Sequence, residues 1–193
     1  MSGDNEDDKP TVVLDLNALK QKKQKQDDEL ADLVSGLEFN VGEKVKADPD
    51  SEQFASEFLG QRAENSKKPS FPIILFDFQS DFFRKSQSQF PEGYKYKIVS
   101  TLPELNQCLK FKEFQVVVFN FDVNPKAINQ LTAQIKQKMP HTKTMIMARA
   151  ISEEKAKLHA QTPSGAHSYY QFPIQANKFE QEIHKLQQLR KVS

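Results

Sequence analysis

From Phe71 onward, short apolar runs alternate strictly with stretches of helical period, and this alternation restricts the fold more than any other feature of the chain. "FPIILFDF" is apolar almost throughout, as expected of a strand buried on both faces. "DFFRKSQSQF" follows as a short helix and "YKYKIVS" as a second strand. "TLPELNQCLKF" reads as a helix opened by a Thr101–Glu104 capping box, with Leu102, Leu105 and Leu109 inward. "FQVVVFNF" is the third strand, and "PKAINQLTAQIKQKM" a helix with Ile128, Leu131, Ile135 and Met139 on one stripe. "TKTMIMA" is a fourth strand, and "SEEKAKLHAQT" a helix with Ser152 as N-cap. "AHSYYQF" is a fifth strand, and "NKFEQEIHKLQQLRK" a last helix that buries Phe179, Ile183 and Leu186. Five βα units in about 123 residues predict one parallel sheet with helices on both faces. Right-handed crossovers then make residues 70–193 a doubly wound α/β domain.

The residues before this domain have a different character. Only 37% of the chain is apolar, low for a packed globule, which places part of it outside a core. Residues 1–69 are rich in Lys, Gln, Asp, Glu and Ser without sustained periodicity, and read as an acidic, largely disordered arm. Ten Lys and Arg face sixteen Asp and Glu up to Pro69, a net of −6, which leaves +7 on the remainder. Halves of opposite sign attract each other, or choose partners of opposite sign. Three apolar islands interrupt the arm. "TVVLDLNAL" suits addition of a strand to a sheet edge, or docking in a groove. "DDELADLVSGLEF" spaces Leu30, Leu33, Val34 and Leu37 on one face of a short acidic helix, with Asp27, Asp28 and Glu29 in its first turn. "SEQFASEFLG" spaces Phe54, Phe58 and Leu59 similarly. Such islands in an acidic setting are expected to dock on another protein, the alternative being that they pack on the body of this chain.

Several function classes find no support. The single cysteine, Cys108, excludes an intrachain disulfide and a Cys-based zinc site, and within "LNQCLKF" it reads as a small buried thiol. His141, His159, His167 and His184 share no ligand spacing, and six glycines form no phosphate-cradling loop. No segment approaches the ~20 apolar residues that span a bilayer. The acidic "MSGDNEDDKP" is the opposite of a secretory signal, so a cytoplasmic location is expected. No enzyme and no cofactor is expected.

The third strand poses the functional question. Its apolar run Val116–Phe119 ends on Asn120, and Asp122 follows. Doubly wound folds bind ligands at the carboxyl ends of their strands, where this chain places an uncharged amide.

The (βα)5 order and its tips resemble the receiver domain of bacterial response regulators, from Phe71 to about Lys191. "SGAHSYYQFP" looks like that family's Ala-Gly-Ala-x-x-Tyr stretch leading through the fifth strand to Lys-Pro, and "LFDF" like the end of its first strand. The resemblance implies a flavodoxin-like sheet whose carboxyl edge carries a phosphate-accepting aspartate, two acidic Mg²⁺ ligands, a Ser/Thr and a Lys. On this sequence the acidic pair falls on Asp77 and Phe78, the phosphoacceptor on Asn120, the Ser/Thr on Ala148 and the lysine on Phe172. The switch aromatic falls on Tyr169. Four of the five chemical positions fail. An amide oxygen is a poor phosphoryl acceptor, Asp77 alone is a thin, vestigial Mg²⁺ site, and Ala148 and Phe172 cannot meet phosphoryl charge.

The expectation is therefore a non-catalytic pseudo-receiver adaptor in bacterial signal transduction, acting through protein–protein contacts without phosphorylation. Tyr169 and Tyr170 are candidate interface anchors, with a possible homodimer through the last strand and helix, and Leu30, Leu33, Val34 and Leu37 would serve further partners. Two alternatives stand beside it. If the third strand ran two residues longer, Asp122 would share the face of Asn120 and act as acceptor, with Asp77 and Asp81 as metal ligands. A basic nucleic-acid-binding module regulated by its acidic arm is the other, though the lysines are spread over many elements.

Overall fold

The computed structural model describes residues 72–189 apart from 79, 112 and 113, together with Asn17, Gln21, Gln24, Lys25, Asp28, Asp32 and Val34 nearer the N-terminus. Leu30, Leu33, Leu37, Phe54, Phe58 and Leu59 lie outside the described residues. Along the body the elements run β1 (Pro72–Phe76), α1 (Phe82–Lys85), a 3₁₀ turn (Gln87–Gln89), β2 (Lys95–Val99), α2 (Leu102–Leu109) and β3 (Val116–Asn120). They continue with α3 (Pro125–Lys138), β4 (Lys143–Ala148), α4 (Glu153–Ala160), β5 (Ser168–Gln171) and α5 (Ala176–Gln188). All neighbouring strands are parallel, in the order β2-β1-β3-β4-β5, which is the doubly wound sheet that the alternation predicts.

The sheet is buried on both faces because its central strands are mostly apolar, with Asn120, Lys143 and Thr144 the polar positions of β3 and β4. Successive side chains point to opposite sides, so each strand feeds two cores. Ile74, Phe76, Val117, Phe119 and Ile146 pack with Leu105, Leu109, Ile128, Leu131 and Ile135 of α2 and α3. Ile73, Leu75, Val116, Val118, Met145 and Met147 pack with Phe83, Phe90 and the Phe179, Ile183 and Leu186 stripe of α5. Caps form where the sequence places them. The Thr101–Glu104 box closes the start of α2, and Ser152 accepts from the Lys155 N–H at the start of α4. Cys108 is buried, and loss of hydration pushes its thiol up to about 11, which leaves it un-ionised.

Two expectations need correction. Tyr170 is a core residue rather than an interface anchor: it is 7% exposed, its ring meets Phe179 edge-on at 5.7 Å, and its hydroxyl donates to the Gln175 carbonyl and accepts the Gln175 N–H. Val34, expected to dock on another protein, is fully buried in the same cluster as α2 and α3 of its own chain. The opposite charges of arm and body favour that contact. The arm is also helical at Asn17, where the apolar island suggested a strand or groove ligand, and at Gln21, Gln24 and Lys25, where the sequence shows no sustained period.

The loop from α4 to β5 passes close to the end of α4 at Gly165. A Cβ built there would lie 2.3 Å from the His159 carbonyl oxygen and 2.6 Å from the Ala160 Cα. Gly165→Ala should therefore cost about 2 kcal/mol or more in urea unfolding, since the obstacles are backbone atoms. Acid sensitivity is expected at His167. Its Nδ1 accepts the Thr144 N–H (3.1 Å), and burial, helped by Lys143 and Lys136, pushes its pKa down to about 4. The unfolded chain takes up this proton from about pH 6.5 downward and the folded chain only near 4. The stability that the neutral ring contributes is thus full above about pH 6.5 and lost between there and about 4. His167→Gln, which keeps an acceptor for Thr144, should show a shallower fall of the urea midpoint over that window than the parent chain.

Candidate functional site

The carboxyl edges of β1, β3 and β4 meet at one polar cluster. Asp77 follows β1 and is completely buried, which a carboxylate tolerates only when donors surround it. Two do. The Phe83 N–H, in the first turn of α1, donates to Oδ2 at 2.9 Å, and the Asn120 side-chain amide donates to Oδ1 at 2.9 Å. Asn120 in turn accepts the Asp122 N–H on its Oδ1 (3.3 Å). The Asp122 carboxylate then accepts the Arg149 N–H (3.0 and 3.3 Å), with the Arg149 Nε 3.8 Å away. A continuous relay of hydrogen bonds therefore joins the tips of three strands.

This arrangement explains the amide. An asparagine donates to Asp77 and accepts from Asp122 at once, whereas an ionised aspartate could only accept. The register alternative for Asp122 is not adopted: β3 ends at Asn120, and Asp122 lies in the following turn, exposed, with its carboxylate turned to Arg149. Asp81 sits exposed ahead of α1. Among the described residues no three His, Cys, Asp or Glu side chains are grouped to hold a metal ion. The donor set present does not suit Mg²⁺, because the buried Asp77 oxygens are already committed and Phe78, packed on the core, stands beside them.

Apolar groups gather at the same end of the sheet. Ala148 ends β4, buried, and its carbonyl accepts the Phe172 N–H (3.1 Å). The Phe172 ring lies against Phe82 with centroids 4.2 Å apart, and the Arg149 guanidinium stands 6.0 Å from the Phe82 centroid. Asp77, Asn120, Asp122, Ala148 and Phe172 thus surround one edge, and the sequence located them together. It missed Phe82 and Arg149. The apolar "DFF" after β1 was the available signal for Phe82; nothing local marked Arg149, whose part is played by a backbone N–H.

Tyr169 lies on the other side of β5, partly buried against the α2–α3 core. Its hydroxyl accepts the Ala166 N–H (2.9 Å) and shares a hydrogen bond with His159 Nδ1 (2.7 Å). Burial, reinforced by Lys136, lowers the His159 pKa and favours the neutral ring. Along β5 and α5 an open groove of about 490 Å³ is lined by Tyr169, Gln171, Phe172, Lys178 and Glu182 among others.

Comparison with known structures fits this geometry. The body is similar to the signal receiver domain of an HD domain-containing protein from Pseudomonas fluorescens, at 15% identity and TM-score 0.53, covering 65% of this chain and all of that one. It is similar to a CheY-like response regulator receiver domain protein from Methanospirillum hungatei, at 18% identity and TM-score 0.52, with 65% and 100% coverage. The fold is that of response-regulator receiver domains. No protein-family model matches the sequence, and no curated protein is similar to it in sequence.

Replacing the amide tests the relay. Asn120→Asp sets two carboxylates within hydrogen-bonding distance at a buried position, which raises the pKa of the pair in the folded state. The destabilisation, about 2–3 kcal/mol, should be full above that raised value and fade as pH falls toward 4, where one proton bridges the pair. Urea midpoints of parent and variant at pH 8 and pH 5 should therefore converge in acid.

Proposed function

We propose that this receiver-fold body is a non-catalytic adaptor in bacterial signal transduction that docks other proteins without being phosphorylated. One observation carries the reading: the Asn120 amide spans Asp77 and the Asp122 N–H, so the phosphoacceptor position implied by the receiver resemblance is spent as a structural bridge. Phosphoryl transfer needs an anionic nucleophile and counter-charge for the developing oxyanions. Here the nucleophile is an amide, and the lysine and hydroxyl positions carry the Phe172 ring and the Ala148 methyl. With a fixed core, what varies among such modules is surface. The groove along β5 and α5 is the docking face in this reading, with β5 the last strand of the sheet among the described residues and open to a partner. A second copy of the chain, paired through its last strand and helix, is one such partner. Tyr169 serves as its anchor, held in place by Ala166 and His159.

An NMR titration of the full chain with Mg²⁺ and beryllofluoride, a phosphoryl mimic, tests the proposal. The amide signals of Asp77, Asn120 and Asp122 are expected to stay unmoved at millimolar ligand. Saturable shifts centred on Asp122 would overturn it in favour of a working phospho-switch.

A further inference from the structure

Lys126 and Gln134 stand two turns apart on α3, and both hold the N-terminal arm. Lys126 Nζ meets Asp28 Oδ1 at 2.5 Å, and Gln134 Nε2 donates to the Val34 carbonyl at 2.8 Å. The Val34 side chain is fully buried beside Ile128, Leu131 and Ile135. Of the seven described arm positions Val34 is the one buried; Asn17, Gln21, Gln24, Lys25, Asp28 and Asp32 are exposed helical positions. At the described positions, then, Asp28 and Asp32 are exposed, Asp28 meeting Lys126, while Val34 is buried against the body.

The surface beneath it is not that of a permanently buried helix. Gln130 lies midway between Lys126 and Gln134 on the same stripe of α3. The side-chain oxygens of Gln130 and Gln134 are buried without a hydrogen-bond partner among the described residues. Covered acceptors without donors oppose the contact, and they regain water when the cover leaves. Only 37 residues separate Val34 from Pro72, so the tether holds the arm at high effective concentration over a contact that is weak by itself.

We propose that this α3 face is a docking site for acidic amphipathic helices, occupied in the free protein by the chain's own arm, and that a partner's acidic helix enters by displacing it. Charge selects the ligand: the arm carries −6 against +7 on the body, and Lys126 reads the acidic side while the cluster around Leu131 takes the apolar anchor. The site lies on α3, away from the β5–α5 groove, so the adaptor reading can fail without affecting it.

The test uses full-length chains and a labelled peptide of residues 24–38 as the competing helix. The parent chain should bind it weakly and the Val34→Asp chain about tenfold more tightly or better, because removal of the anchor frees the face. A peptide carrying Val34→Asp should not bind, and adding Lys126→Glu to the freed chain should weaken binding severalfold. Should Val34→Asp compromise folding, Asp28→Lys decides, since it reverses an exposed charge and should raise peptide affinity about threefold. Equal binding by the parent and freed chains, or no binding by a folded freed chain, would overturn the proposal.

Discussion

The structure hangs on a hydrogen bond between an amide and a buried carboxylate. Asp77 has no exposure to water, and an unpaired charge in such a place would cost several kcal/mol. The Asn120 amide and the Phe83 N–H remove that cost, and each ties β1 to another element, Asn120 to β3 and Phe83 to α1. Through its oxygen Asn120 also fixes the turn after β3, and Asp122 extends the chain of bonds to Arg149 beyond β4. A residue type that looks like a lost nucleophile in sequence is, in the folded chain, the connector of the strand tips. Its two opposite hydrogen-bonding ends are what an ionised aspartate cannot supply.

The removal of charge continues outward from that bond. Phe82 and Phe172 pack on each other at the same end of the sheet. Burying rings there is favourable by the ordinary apolar term. The backbone bond from Phe172 to the Ala148 carbonyl then holds the end of β5 against β4. Asn120, Ala148 and Phe172 are consistent with one another: none offers the anionic nucleophile, hydroxyl or ammonium that phosphoryl transfer uses.

The sheet was legible because five apolar runs of strand length alternate with helical stripes, and because a parallel sheet covered on both faces needs such runs. The stripes on α2, α3 and α5 also read correctly, since Leu105, Leu131 and Ile183 follow the 3.6-residue period that places them in the core. The positions of the candidate site were legible from the strand ends, but their interactions were not. Whether Tyr170 faces in or out depends on Phe179, nine residues on, and on a loop that returns Gln175 to its hydroxyl. Val34 is the clearest case: its helical spacing shows an apolar face, but no local pattern says whether that face meets this chain or another. The partner residue, Gln134, lies 100 positions away.

These features bear on where the chain can change state. A ligand shifts a conformational balance only by binding two states differently. At the carboxyl edge of the sheet the relay is internally satisfied, and the Phe82 and Phe172 rings pack on each other. Tyr169 is likewise bound at its hydroxyl from two sides. The α3 face differs, because its cover comes from a separate segment and leaves the Gln130 and Gln134 oxygens without donors. Covered and uncovered are two states that an acidic helix distinguishes. The relay at the strand tips draws on the body alone, whereas the contact at α3 joins parts of the chain far apart in sequence.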